Sequence, residues 1–211
     1  VGDVNEVDLG NGIVTRRCDV TSEAEVEALA QAAVDEFGRL YIAFANAGIG
    51  SAQRIVDIDV TEWQRVLDVN LTGPLLTIKH AARRMTGGGS IVVTASLNAV
   101  QAGIGFAAYC SSKAAAAMLV QVAGLELGSA GIRVNAIGPG LVRTPLTEGA
   151  FMLPAIEQGY VENTPVGRYA TPEEIAGFVA YLASDEASST ALPTRRSTRI
   201  CSGSSAADVA A

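Results

Sequence analysis

One histidine, one tryptophan and three cysteines are all that this 211-residue chain holds of the residue types that most often build metal centres, aromatic platforms and disulfide frameworks. Cys18, Cys110 and Cys201 are odd in number and widely separated, which suits neither a disulfide framework nor a zinc site. His80 has no companion ligand, so it reads as structural and no metal is expected. Basic residues are outnumbered by acidic ones, 15 to 22, for a net charge of −7 and a pI near 4.7. Such a balance gives no electrostatic reason for a nucleic acid or an anionic membrane to bind. No apolar run approaches the ~20 residues that span a bilayer. The first residues lack a basic region followed by an apolar block, so neither membrane nor secretory leader is expected, and the expected location is cytoplasmic. What remains is a small-molecule ligand.

What is present is a hydrophobic content of 49% and 22 glycines, enough for one domain with a sizeable core. The stretch 12–19 alternates as a strand, and a helix follows over about 22–37, capped by Thr21 or Ser22, with Glu23 and Glu25 in its first turn and Gly38 past its end. Leu40 to Ala45 is a short continuous apolar run, the pattern of a strand covered on both faces. A helix is predicted from Thr61 to about Met85, a strand over 91–95, a helix over 109–129 and a strand over 131–137. Thr171-Pro-Glu-Glu174 starts a last helix that ends near Ser184, with Thr at the cap, Pro at the first position and Glu three residues on. Alternating strands and helices predict an α/β fold, a doubly wound parallel sheet with helices on both faces. The long connection from Thr144 to Pro165, with Phe151, Met152 and Leu153, is expected to be a lid or a packed helical hairpin.

Ligands of such sheets bind at the carboxyl ends of the strands. Asp19, Asn46 with Gly48, Ser96, and Pro139 with Gly140 each follow an apolar strand. Singly, each could be turn chemistry. Together they mark one end of the sheet. Tyr109 and Lys113 stand four residues apart, on one helix face, where an ammonium beside a phenol would stabilise the phenolate. Cys110, beside Tyr109, reads as a helix-packing residue.

These motifs, taken in order, resemble those of the short-chain dehydrogenase/reductase family, and the resemblance runs from about residue 3 to 187. Asp19-Val20 resembles the pair that contacts adenine, and Ala45-Asn-Ala-Gly48 resembles the turn near the cofactor ribose. Asn70 matches the asparagine of the family's catalytic tetrad. Ser96, thirteen positions before Tyr109, and Lys113 match the rest. The segment from Arg133 through Pro139, Gly140 and Val142 to Thr144 resembles the one holding the nicotinamide and adjacent phosphate. The resemblance implies a Rossmann-like fold and hydride transfer between a nicotinamide cofactor and a carbonyl or secondary alcohol. Tyr109 would be the acid or base, Lys113 would lower its pKa and hold ribose hydroxyls, Ser96 would bind the substrate oxygen, and Asn70 would interrupt its helix and anchor a water. Asn46, Ala47 and Gly48 would line the cofactor. Asp3, at the end of the family's second strand, would accept from a ribose 2′-hydroxyl, which favours NAD over NADP. The implied assembly is a homodimer or homotetramer through the helices near 61–85 and 109–129.

Two departures stand against this pattern. The family's first strand and glycine-rich turn, which would cradle the pyrophosphate, are absent from these 211 residues, so the expected sheet lacks the first βα unit and the chain reads as N-terminally truncated. After Ala187 the text turns to Ser, Thr and Arg, including Arg195, Arg196 and Arg199, and a disordered tail is expected over 188–211 beyond a domain of residues 1–187. Two functions follow: an NAD(P)-dependent oxidoreductase, or a catalytically inactive fragment that associates with full-length relatives.

Overall fold

The computed structural model describes residues 1–190 apart from 6, 11, 152 and 153, and no side chain between 150 and 156. Its elements are β1 (Gly2–Asp3), β2 (Arg16–Arg17), α1 (Glu23–Phe37), β3 (Ile42–Ala45), α2 (Val60–Leu67), α3 (Gly73–Ala82), β4 (Gly89–Thr94), α4 (Ala107–Leu127), β5 (Ile132–Ile137), α5 (Glu148–Phe151), α6 (Pro154–Glu162) and α7 (Pro172–Ala183). All pairings between these strands are parallel, as the strand–helix alternation requires. They fall into two sheets, β1–β2 and β3–β4–β5.

The central strand β4 carries the core. Ile91, Val92 and Val93 are all fully buried, because successive side chains point to opposite faces and both faces are covered. Ile91 and Val93 pack with Ile78, Ala81 and Met85 from the α3 side and Val120 and Ala123 of α4; Val92 packs with Ile137 against Val179 and Leu182 of α7. The second face is held by polar bonds as well. Ser90 Oγ donates to Leu182 O at 2.9 Å, and the Arg133 guanidinium donates to Leu182 O and Ser184 O at 2.8 and 2.9 Å. The last carbonyls of α7, which have no helical partner, are thereby satisfied. Its first turn is the expected capping box between Thr171 and Glu174, with Arg168 on the outer side of the Glu174 carboxylate.

Two expectations change, and a third feature takes a definite form. The strand expected over 12–19 shrinks to Arg16–Arg17, although Arg16 N and Cys18 N also donate to Val1 O and Asp3 O. The β1–β2–α1 unit docks through Cys18, Val26 and Leu76. Gly73, at the start of α3, makes this approach possible, since a Cβ there would lie 2.9 Å from Val20 Cγ2. The helix expected from Thr61 to Met85 is interrupted at Asn70, as the resemblance implies, by a π turn over Asp68–Thr72, in which Gly73 N donates to Asp68 O. Pro74, lacking an N–H, cannot bond the Asn70 carbonyl four residues back, so the ladder slips by one residue there. The stretch 188–190 continues the fold, because Thr190 N donates to Ala187 O and Thr190 O accepts from Asn135 Nδ2 at 2.8 Å. Residues 191–211 of the expected tail lie outside the described residues, as do Met152, Leu153 and the Phe151 side chain of the expected lid. The described parts of 148–162 are helical. No helix among the described residues is long and apolar enough to cross a membrane.

Candidate active site

The carboxyl ends of β3 and β4 converge on the start of α4. Ser96 follows β4 in an extended conformation (φ −171°, ψ 160°) and begins a single helical turn over Leu97–Ala99. Its Oγ accepts from Asn98 N at 3.1 Å, and the hydroxyl acts electrostatically on the Tyr109 phenol. Phe106, just before α4, packs edge-on against Tyr109, with ring centroids 6.3 Å apart. The helix starts at Ala107, two residues before the expected position, so Tyr109 sits within its first turn.

Lys113 follows one turn later and is 3% exposed. Its Nζ donates to Thr94 O at 2.8 Å and lies 5.8 Å from the Tyr109 ring centroid. Burial lowers the lysine pKa to about 8. The Tyr109 phenol moves the other way: burial raises its pKa, the Ser96 hydroxyl offsets part of that rise, and Cys110 and Tyr160 add to it. The expected lowering of Tyr109 by Lys113 is therefore not found in this state. The ammonium is bonded to a backbone carbonyl on β4, and desolvation of the phenol dominates.

Asn70 is fully buried in the π turn and clamps the backbone of Ile49: its Oδ1 accepts from Ile49 N and its Nδ2 donates to Ile49 O, both at 2.9 Å. That clamp holds the turn Asn46–Ala47–Gly48 that follows β3. Asn46 Oδ1 accepts from Thr94 Oγ1 at 2.8 Å. A Cβ on Gly48 would lie 3.3 Å from Asn70 Oδ1 and 3.4 Å from Lys113 Nζ, so the bare glycine keeps an opening that both groups face. Thr94 was missed in the sequence, although it ties Lys113 and Asn46 to one strand end; a threonine closing a β-strand gives no local signal of such a role. Ser112 was missed as well.

The other expected cofactor residues are arranged less directly. Asp3 is exposed at the end of β1, and its Oδ1 accepts from Asn5 N and Asn5 Nδ2 at 2.9 and 3.3 Å. Asp19 turns back on its own loop, with Oδ1 accepting from Thr21 N and Thr21 Oγ1, and those bonds lower its pKa. Val20 packs in the Cys18–Val26–Leu76 cluster and against Gly73. Pro139 O accepts from Leu97 N at 2.9 Å, bringing the Pro139–Gly140 turn to the segment after Ser96. Val142 is buried and bridged to Ala170, while Thr144 caps the turn Pro145–Thr147. Asn70, Ser96, Tyr109, Lys113, Asn46 and Gly48 are gathered at one end of the larger sheet; Asp3 ends a strand of the smaller sheet and Asp19 lies in the loop after it.

Chemically, the site offers two hydroxyls, Ser96 and Tyr109, able to engage one substrate oxygen, and Tyr109 is a proton donor that is neutral near pH 7. Lys113 uses one of its three N–H donors on Thr94 O, so two can serve a ligand with hydroxyl oxygens. Together with the opening at Gly48, this donor set fits the ribose end of a nicotinamide dinucleotide.

The family model described as "Enoyl-(Acyl carrier protein) reductase" matches residues 4–191. The chain is 40% identical over 185 residues to a cis-4-hydroxycyclohexanecarboxylate dehydrogenase of Sinomonas cyclohexanicum, covering 86% of this chain and 73% of that protein. It is 42% identical over 172 residues to a 3-alpha-(or 20-beta)-hydroxysteroid dehydrogenase of Mycobacterium tuberculosis, covering 81% of this chain but only 64% of the relative's length. Among solved structures, levodione reductase superposes with a TM-score of 0.80 at 33% identity, covering 84% of this chain and 72% of that one. An NAD+-bound xylitol dehydrogenase does so with a TM-score of 0.79 at 32% identity, covering 84% and 75%.

Proposed function

The chain belongs to the short-chain dehydrogenase/reductase family, and from that membership we propose that it interconverts a secondary alcohol and a ketone, with Tyr109 as the group that gives and takes the proton. The observation that carries this reading is Tyr109 one helical turn before the buried Lys113, whose Nζ is bonded to Thr94 O at the end of β4, two residues before Ser96. In ketone reduction, Tyr109 donates its phenolic proton to the carbonyl oxygen as negative charge develops there. Its raised pKa keeps that proton in place at neutral pH. The Ser96 hydroxyl donates to the same oxygen and stabilises the forming alkoxide. In alcohol oxidation the proton returns to Tyr109, which requires the phenolate and so runs faster as pH rises. The dinucleotide, when bound, supplies or accepts the hydride at the carbinol carbon. Lys113 and the Asn46–Ala47–Gly48 turn would hold its ribose, Pro139, Gly140, Val142 and Thr144 its nicotinamide end, and Asp19 and Val20 its adenine. Asp3, a carboxylate at the end of β1, would accept from a 2′-hydroxyl and repel a 2′-phosphate, which favours NAD over NADP.

The substrate we propose is an alicyclic secondary alcohol. The ring alcohols named for two relatives support it. So does the apolar surface beside Tyr109: Val100 and Ile104 on the loop between Ser96 and Tyr109 are exposed, and so is Leu146, whose Cδ1 is 3.6 Å from the Cβ position of Gly50. A homodimer is proposed through a groove of about 650 Å³ between α3 and α4, lined by Leu75, Val122 and Leu119. Leu75 and Val122 are 45% and 44% exposed in the single chain.

The test is NADH formation from NAD+ and cyclohexanol by the purified chain, compared with the Tyr109→Phe variant. Turnover should vanish in the variant while the thermal shift on adding NADH is unchanged. More than a few per cent residual turnover would remove Tyr109 from the proton-transfer role.

A further inference from the structure

Ser112 is fully buried in the middle of α4, a place where a hydroxyl has no packing advantage over alanine's methyl and lowers helix propensity. Its Oγ donates to Tyr109 O at 2.8 Å, one turn back. The single hydroxyl proton is thereby committed, so the same oxygen can only accept from Asn70, and it does, from Nδ2 at 3.1 Å. With the two bonds to Ile49, every N–H of the Asn70 amide is satisfied, and its oxygen is directed to Ile49 N and to the opening at Gly48 that Lys113 also faces. Asn70 lies in the π turn and Ser112 on α4, so their hydrogen bond is the polar tie between the element that interrupts α2–α3 and the helix that carries Tyr109 and Lys113.

We propose that Ser112 is a positioning residue: its hydroxyl holds the Asn70 amide so that Oδ1 stays turned toward the Lys113 ammonium across Gly48, and it registers that amide against the first turn of α4. The consequence for catalysis rests on the dehydrogenase reading; the consequence for Lys113 does not. The amide oxygen favours the charged form of the nearby lysine. The titratable group set against Lys113 is Tyr109 on its own helix, at 5.8 Å from ring centroid to Nζ. The shift of Lys113 comes from burial. Without Ser112, Asn70 is left with a buried unpaired N–H and turns to find another partner, and Lys113 loses the dipole facing it.

The experiment uses the full chain and the variants Ser112→Ala, Asn70→Ala and the double variant. The Lys113 ammonium is followed by NMR of labelled lysine against pH, without cofactor, its resonance assigned by its loss in Lys113→Met. Its midpoint should fall in Ser112→Ala, fall likewise in Asn70→Ala, and fall no further in the double variant. In turnover of cyclohexanol, Ser112→Ala should lower kcat about five- to tenfold with the KM for NAD+ little changed, and should have no added effect once Asn70 is alanine. A Lys113 midpoint unmoved in a folded Ser112→Ala protein overturns the proposal, as do additive effects in the double variant. If the unaltered chain shows no turnover at all, the dehydrogenase reading fails, and the lysine midpoints still decide the role of Ser112.

Discussion

Lys113→Met should make the cofactor-free protein more stable near neutral pH, and the gain should disappear as pH rises. The lysine pKa is 10.5 in an exposed chain and about 8 in the fold, where the group is 3% exposed and its charge is poorly solvated. A depression of that size corresponds to about 3 kcal/mol, at ~1.36 kcal/mol for each pKa step. The sign follows from proton binding. Below pH 8 both states carry the ammonium and the fold bears the whole burial cost. Between 8 and 10.5 the unfolded chain binds more protons than the folded one, so stability rises with pH, and above 10.5 the cost is gone. Methionine never carries the charge, but it gives up the bond to Thr94 O, which costs about 1 kcal/mol. The variant should therefore be more stable than the parent by about 2 kcal/mol at pH 6.5 and nearly equal to it at pH 9.5. Urea unfolding of both proteins, followed by circular dichroism at several pH values, measures this difference. Subtraction removes the contribution of the buried Cys18 thiol, whose pKa is raised by burial and which destabilises both proteins alike as it ionises. A variant less stable than the parent at pH 6.5, or a difference that stays constant to within about 0.5 kcal/mol across the range, would refute the reasoning. Lysine would then be partnered by something other than one carbonyl.

Two further perturbations test the frame around the site. Arg133→Leu removes both bonds from β5 to the end of α7 and leaves Ser184 O without that donor; the loss should be about 2 kcal/mol, seen as a fall in Tm of about 4–8 °C. An unchanged Tm would mean that apolar packing of Val179 and Leu182 with the Ser90 bond to Leu182 O suffices to hold α7. Val122→Glu puts a charge into the groove between α3 and α4, and sedimentation should show a monomer where the parent is a dimer. A parent that is itself monomeric at the same concentration sinks the proposed interface.

Much of this architecture was legible because it depends on local rules. Thr171 and Glu174 close their capping box within four residues, and Ser22 and Gly38 bracket α1 as expected. The unbroken apolar run at Leu40–Ala45 and the run Ile91–Val93 announce strands of a parallel sheet, although Ile42 and Phe44 turned out half-exposed on β3. What was misjudged or left unspecified depends on neighbours. The strand around Arg16 is short because it pairs only with the two residues of β1. The π turn had a readable cause, a proline four residues after Asn70, yet only the partner Ile49 shows why the bulge holds its asparagine inward.

The sequence by itself determined the order of strands and helices, the side-chain types at the strand ends and the separations that let Ser96, Tyr109 and Lys113 meet, because periodicity, capping and turn chemistry act over a few residues. Only the tertiary structure decided the state of the protons. Tyr109 is pushed up rather than down, Lys113 is brought to about 8, and Asn70 is tied to Ser112, forty-two positions away in the chain. Those outcomes follow from burial and from partners on other elements, such as the Thr94 carbonyl beneath Lys113. Desolvation is a property of everything packed around a group, and no stretch of sequence contains it.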